Sequence, residues 1–186
     1  MPTMTMARIM NEQQERVTKG IRAVDTDHGY IHEGILFEAT TNFSLNAAAS
    51  RRIAIITPAN FYLHYRLENV TSSGDKVAIA FHEGATLNAV PGGTALTPMN
   101  HSRVAGINSA TVVLEAPTVT ADGTRLTRAY IGGGTGVGGA RTGSDLSSTH
   151  EWVLIPSTTY LIIVTNNSSA ANEINMNICW YEETDA

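Results

Sequence analysis

Cysteine is almost absent from this chain, because Cys179 is the only one in 186 residues. A single thiol excludes a disulfide within the chain and a zinc centre built on several cysteines. Cys179 stands between Ile178 and Trp180 in a segment of alternating residues, so we expect a small buried thiol at this position.

Long hydrophobic runs are also missing. The longest lies around residues 161–164, far short of the ~20 residues that a membrane-spanning helix needs. The N-terminal stretch carries no hydrophobic signal core. We therefore expect a protein that is made in the cytoplasm and has no membrane partner.

Charged residues are scarce, at 16% of the composition, against roughly 25% in ordinary soluble domains. The formal net charge is −5 and the isoelectric point is about 5.6, which argues against a nucleic-acid partner. Aromatic residues reach only 6%, so the core must be mostly aliphatic. A surface of Thr, Ser, Asn and Gly is typical of a protein that packs against other proteins.

Lysine is nearly absent too, since Lys19 and Lys76 are the only two. The planar guanidinium of arginine suits subunit interfaces, whereas lysine suits a free, solvated surface. The imbalance either indicates arginines at subunit contacts or reflects the composition of the source genome. The candidates for subunit contact are Arg103, Arg125, Arg128 and Arg141.

Strict apolar/polar alternation recurs along the chain and is broken by glycine-rich turns. In 174–181, Ile174, Met176, Ile178 and Trp180 alternate with Asn, Cys and Tyr residues. Period-two alternation buries one face of a strand, so it predicts an all-β, antiparallel sandwich that is jelly-roll-like, with about eight or nine strands. The predicted strands begin near residue 29, and their approximate ranges are 29–40, 51–57, 61–70, 75–82, 110–115, 125–131, 151–155, 159–165 and 173–182.

Two further expectations concern particular strands. The strands at 61–70 and 75–82 are joined by Thr71-Ser-Ser-Gly74, which we interpret as a hairpin loop. The run at 161–164 is apolar on both faces, so it must be covered on both, either centrally in the sandwich or at a subunit contact.

The first residues differ from the rest and predict an N-terminal arm over 1–28, followed by the sandwich domain over 29–186. One prediction for this arm is an amphipathic helix over about 4–19, because four apolar residues fall on one narrow stripe at 100° per residue. A partly disordered leader is the alternative. The stripe residues are candidates for subunit or capsid contact, and they are Met6, Met10, Val17 and Ile21.

No motif predicts catalysis, a cofactor or a metal. The sequence at 134–139 fits G-x-G-x-x-G, but no helical pattern follows it, so we interpret it as a loop. His28 and His32 are four apart, beside Asp25 and Asp27, yet we place them at the start of a strand, where such a pair cannot easily chelate. Glu182 and Glu183 are expected in the solvated tail. The sequence therefore predicts a protein that is not an enzyme.

Three stretches follow one another in an order that is moderately specific. The first holds FHEGAT (81–86), GTALT (93–97) and NHSR (100–103), and the second PTVTADGTRL (117–126) and YIGGG (130–134). The third holds EWVLIPSTTYLIIVT (151–165) and ICWYE (178–182). In this order the chain resembles a group of tailed-bacteriophage virion proteins, the small head decoration (cement) or head-fibre type.

The resemblance implies a β-sandwich subunit that forms a homotrimer, binds the major capsid protein of an assembled shell and performs no catalysis. It implies a location on the capsid exterior of the virion, and it transfers no catalytic residues. The alternative is a tail-associated or head-fibre module that binds host-surface glycan. A glycan site favours exposed aromatic rings, whereas Trp152 and Trp180 lie in predicted strands, where we expect core packing. A third alternative is a small cupin-like enzyme. It would need His and Glu metal ligands clustered on the inward faces of the strands.

Overall fold

The computed structural model describes residues 26–73, 76–132, 141–142 and 151–184. These residues form one helix, α1 Thr26–Glu33, and fourteen strands. The strands are β1 Leu36–Leu45, β2 Ser50–Ile56, β3 Tyr62–Ser72, β4 Val77–Glu83, β5 Thr86–Leu87, β6 Thr94–Leu96, β7 Met99–Asn100, β8 Val112–Glu115, β9 Val119–Ala121, β10 Thr124–Ile131, β11 Arg141–Thr142, β12 Trp152–Leu154, β13 Thr159–Asn166 and β14 Asn172–Glu183.

Two antiparallel sheets pack face to face. The first sheet has the order β3-β14-β1-β7, with β11 and β12 both pairing with the free side of β3. The second has the order β10-β4-β13-β2-β8-β6, and β5 and β9 form a separate two-stranded ribbon. The long strands pair in nested fashion: β1 with β14, β2 with β13, β3 with β12 and β4 with β10. Nested pairing across two sheets is jelly-roll connectivity, so the predicted all-β sandwich is confirmed.

The alternation in the sequence becomes the core between the sheets. On β14 the side chains of Ile174, Met176, Ile178 and Trp180 all point inward and are at most 1% exposed. An aromatic stack crosses the sandwich, in which Phe81 lies 4.8 Å from Tyr65 and 5.5 Å from Tyr160, between ring centroids. The run at 161–164 lies on β13, which is central in the second sheet, and all of it is buried except Ile163, which is half-buried.

The predicted hairpin at 71–74 is wrong. The two strands that it joins belong to different sheets, because β3 pairs with β14, whereas β4 pairs with β10 and β13. The connection therefore crosses from one sheet to the other. Alternation fixes which face of a strand is buried but does not fix its partner, and a four-residue linker fits either arrangement.

The strand predicted from residue 29 is also wrong in its first part. Residues 26–33 form the helix α1, with Asp27 in its first turn and His32 in its last. It ends at Gly34, where φ is +74° and an added Cβ would lie 2.5 Å from the Cβ of Ala105. The helix crosses the domain boundary predicted at residue 28, and residues 1–25 of the predicted arm lie outside the described part of the chain.

Helix α1 covers part of the outer face of the first sheet. Leu36, Cys179 and Tyr181 are buried there and form a second apolar cluster, which is covered by Tyr30, Ile31 and Ile35. The expectation of a buried thiol at Cys179 is confirmed. Within the described residues, no helix is long and apolar enough to cross a bilayer.

Candidate functional site

The predicted contact residues divide into two groups. Met6, Met10, Val17 and Ile21 lie outside the described residues, and Arg141 is placed only by its backbone, which pairs with Ser72. Arg103, Arg125 and Arg128 are exposed. None of these three forms an ion pair with a described residue, and the guanidinium of Arg128 lies 5.1 Å from the ring centre of Tyr130.

Other arginines are neutralised inside the subunit. Arg51 binds Glu115 at 2.5 Å, Arg52 binds Asp122 at 2.8 Å and Arg66 binds Asp27 at 2.8 Å. The hydrogen bond from Arg52 lowers the pKa of Asp122 below its ordinary value. Arg125 and Arg128 on β10 differ from these three arginines, because neither has a carboxylate partner among the described residues.

Exposed apolar side chains concentrate on two opposite sides of the sandwich. We call the side formed by β10 and β12 the β10–β12 edge, and the opposite side, formed by β7, β8 and the loop between them, the β7–β8 edge. The first carries Tyr130, Trp152, Val153 and Ile155, and the second carries Met99, Val104, Ile107 and Val112. Val90, which is 82% exposed, lies outside both, in the loop between β5 and β6.

The β10–β12 edge also presents strands without neighbours. In the described part of the chain, no strand pairs with the outer side of β10 or of β12. Trp152 is 36% exposed, so the prediction that it packs in the core is wrong, whereas the same prediction for Trp180 is confirmed. The reason is that β12 is an edge strand, so its inward side chain reaches Phe81, 6.1 Å away between ring centroids, but remains open on its other side.

A polar and aromatic cluster lies on the outer face of the first sheet beside helix α1. The ring of Tyr181 is stacked between Tyr30, at 4.0 Å, and His64, at 4.3 Å. Glu151 accepts a hydrogen bond from the Tyr181 hydroxyl at 2.7 Å and lies 2.7 Å from Nδ1 of His64. Arg66 binds Asp27 through both terminal nitrogens, so this cluster fixes the helix to the sheet.

Glu151 is held as a carboxylate by this cluster. Its partial burial opposes ionisation, but the hydrogen bonds from Tyr181 and His64 outweigh that effect, so its pKa lies below the ordinary value. Burial, together with the bond to Glu151, raises the pKa of Tyr181. The ionised form of Glu151 therefore stabilises the fold above its unfolded-state pKa, and this contribution is lost as the pH falls through the lowered pKa.

The substitution Tyr181→Phe is expected to raise the pKa of Glu151, because it removes a donor to the carboxylate while keeping the stacked ring. The measurement is an NMR titration of the glutamate side-chain carboxyl carbons between pH 2 and 7. Tyr130→Phe, on the second sheet, is the matched control and should leave the midpoint unchanged. An unchanged Glu151 midpoint in Tyr181→Phe would contradict the assignment of this hydrogen bond.

The prediction that Glu182 lies in a solvated tail is wrong. Its side chain is buried, and its two oxygens accept hydrogen bonds from the hydroxyls of Ser109 and Thr111 and from the backbone amides of Ala110 and Thr111. Nε1 of Trp180 donates a further bond at 3.3 Å. Glu182 therefore anchors the end of the β7–β8 loop to the core, and its oxygens are occupied by donors from the chain.

A pocket of about 310 Å³ lies along the side of β1 that faces β6 and is lined by residues of both sheets. Glu115 in its wall accepts hydrogen bonds from the hydroxyl of Thr41 and from Arg51. Asn42 and Asn175 are register partners across β1 and β14, and both are exposed. The full lining is Thr40, Thr41, Asn42, Leu96, Glu115 and Asn175. These polar groups can form hydrogen bonds with a small polar ligand. In the sequence, the run of Thr and Asn at 40–42 is the one feature that indicates a polar pocket here.

The two remaining candidates for chemistry have different outcomes. The glycine motif at 134–139 lies outside the described residues. His28 and His32 lie on α1, with their Nε2 atoms 3.0 Å apart, rather than on a strand. Among the described residues, no group of three or more His, Cys, Asp and Glu side chains is arranged to hold a metal ion.

No protein-family model matches the chain, and no curated protein matches it significantly.

Proposed function

We propose that this protein is a non-enzymatic structural subunit of a bacteriophage virion, which decorates and stabilises the capsid exterior as a homotrimer bound to the major capsid protein. The observation that carries the proposal is the pair of apolar edges on opposite sides of one sandwich. Two different surfaces that meet in a head-to-tail contact form a ring when the rotation between subunits closes, whereas a two-fold dimer requires one self-complementary surface. The order of the three sequence stretches, in which the chain resembles phage decoration proteins, is our reason for proposing the shell as partner.

The chemistry of the edges supports this assembly. An exposed edge strand templates aggregation unless it is blunted or covered, and β10 carries two exposed arginines together with Tyr130. Arginine and aromatic residues are enriched in protein–protein interfaces. Many modest contacts that are repeated by symmetry hold such a subunit to a lattice by avidity.

The substitution Val153→Asp is expected to convert the trimer into monomers. Val153 is 56% exposed on β12, so a carboxylate there is tolerated in a monomer but becomes an unpaired buried charge in the proposed contact. Light scattering coupled to size-exclusion chromatography measures the mass. Val90→Asp, at an exposed valine away from both edges, is the matched control and should remain trimeric. A wild-type protein that is monomeric at micromolar concentration would overturn the trimer.

Shell binding is tested with purified capsids. Full-length protein is expected to occupy the exterior in many regular copies, visible by electron microscopy. A chain lacking residues 1–24 is expected to bind with reduced occupancy, because we assign the arm to the capsid contact. Full occupancy by the truncated chain would refute the role of the arm. No binding by the full-length chain would refute the decoration function.

The alternative function, a tail-associated or head-fibre module that binds host glycan, is favoured by the pocket at Asn42, Asn175 and Glu115. Amide and carboxylate groups can hydrogen-bond sugar hydroxyls, and the exposed Trp152 supplies an aromatic ring elsewhere on the surface. Copy number separates the two functions, since a decoration protein is present in many copies per particle and a tail module in only a few.

A further inference from the structure

Helix α1 presents two imidazole groups side by side to solvent. His28 and His32 are both exposed, with ring centroids 4.5 Å apart and Nε2 atoms 3.0 Å apart. Positions i and i+4 lie on one face of a helix, one turn apart. On a strand, these two side chains would lie too far apart to bind one metal ion. On the helix they lie close enough to do so.

The separation of the two nitrogens is informative. Metal–imidazole bonds are about 2.0–2.1 Å long. Two nitrogens that are each bound to one ion at this length lie ~3.0 Å apart at a 90° angle and ~3.4 Å apart at a tetrahedral angle. The observed 3.0 Å matches the 90° arrangement, which square-planar and tetragonal Cu²⁺ and Ni²⁺ sites have. An N–H···N hydrogen bond between the two rings gives the same distance and is the competing explanation.

We propose that His28 and His32 form a two-histidine site for a late first-row divalent cation, with Cu²⁺ bound most tightly. Water fills the remaining coordination positions, because the described residues supply no group of three ligands. Asp27, the acidic neighbour of His28, is bound to Arg66.

The metal would act on the segment that leads into the sandwich. Helix α1 is short, so it depends on its contacts with the first sheet through Tyr30 and Asp27. An ion that bridges two successive turns adds a crosslink that exists only when the helix is formed. Binding therefore stabilises the docked helix at the start of the described chain. This inference does not depend on the proposed capsid function.

The test uses the full chain, free of any histidine-containing tag, titrated with CuCl₂ or NiCl₂ by isothermal titration calorimetry. We expect a site that binds one ion per chain, with the Cu²⁺ form showing two nitrogen ligands by electron paramagnetic resonance. His28→Ala and His32→Ala should each weaken that site at least about tenfold, because each removes one of two ligands. His101→Ala, at an exposed histidine on the β7–β8 edge, is the control and should bind as the wild type does.

A second variant keeps the number of histidines constant. His32→Ala combined with Glu33→His moves one imidazole ~100° around the helix, so the pair no longer shares a face and the site should be lost. Circular dichroism checks that each variant remains folded. Equal affinity in the wild type and in all histidine variants, or no stoichiometric binding at all, would overturn the proposal and leave a hydrogen-bonded histidine pair only.

Discussion

Replacing Trp180 with alanine is expected to lower the free energy of unfolding by about 3–5 kcal/mol, the range for truncating a large aromatic residue in a core. The side chain is fully buried and its ring lies 6.2 Å from that of Phe37, between centroids. Strand β14 is central in the first sheet, flanked by β1 and β3. Neighbouring strands on both sides hold it in place, so the structure cannot easily collapse into the cavity that the substitution leaves. Urea denaturation followed by far-ultraviolet circular dichroism measures the loss.

Trp152→Ala is the matched control for this prediction. Trp152 lies on the edge strand β12 with 36% of its surface exposed, so the same truncation there removes less buried area and should cost distinctly less than at Trp180. The contrast between two tryptophans isolates the effect of burial from that of residue type. A loss below about 1 kcal/mol for Trp180→Ala would contradict its inward orientation.

The faces of the long strands could be predicted from sequence because alternation reports burial directly. The inward set on β14 was correct, residue for residue, from Ile174 to Trp180. The same reasoning failed for Trp152, because alternation says which face a side chain occupies and not whether the strand has a neighbour on both sides.

Strand partners could not be predicted, since pairing in a jelly roll is non-local. Strand β1 pairs with β14 at the other end of the chain, and consecutive strands such as β3 and β4 fall in different sheets. A short linker between two alternating segments contains no information about which sheet the next strand joins. The hairpin expected at 71–74 failed for this reason.

Helix α1 was missed, although one signal for its packing was present. The outward positions of β14 change from Asn175 and Asn177 to Cys179 and Tyr181, which are buried. Such a change from polar to less polar residues on an outward face indicates that something covers that half of the sheet. The covering element is the segment at 26–33, which had been assigned to the first strand.

The candidate contact arginines were chosen by residue type alone, and the sequence did not predict which other arginines form ion pairs within the subunit. Arg125 and Arg128 are exposed on β10, as an interface role requires. Glu115 and Glu151 were not singled out, because their partners Arg51 and His64 are 64 and 87 residues away in sequence. Ion pairs at that separation depend on strand register, which a single sequence does not specify.

Removing the Glu182 carboxylate is expected to destabilise the protein by about 3 kcal/mol in Glu182→Ala, because buried amide and hydroxyl donors lose their acceptor. Glu182→Gln should lower the free energy of unfolding by less. It still brings an NH₂ group against an N–H donor, because both oxygens of Glu182 accept hydrogen bonds from N–H groups. Chemical denaturation measures the total loss. Amide hydrogen exchange at Ala110 and Thr111 measures the local effect, with exchange at least about tenfold faster in Glu182→Ala.

Glu183→Gln is the matched control, because the neighbouring carboxylate is 42% exposed and points to the opposite face of β14. It should change the free energy of unfolding by no more than about 0.5 kcal/mol and leave exchange at Ala110 and Thr111 unchanged. Equal effects of the two glutamate substitutions would contradict the anchoring role of Glu182. Loss of the anchor should also free the β7–β8 loop, which carries Val104 and Ile107, so Glu182→Ala should weaken the proposed trimer while Glu183→Gln preserves it.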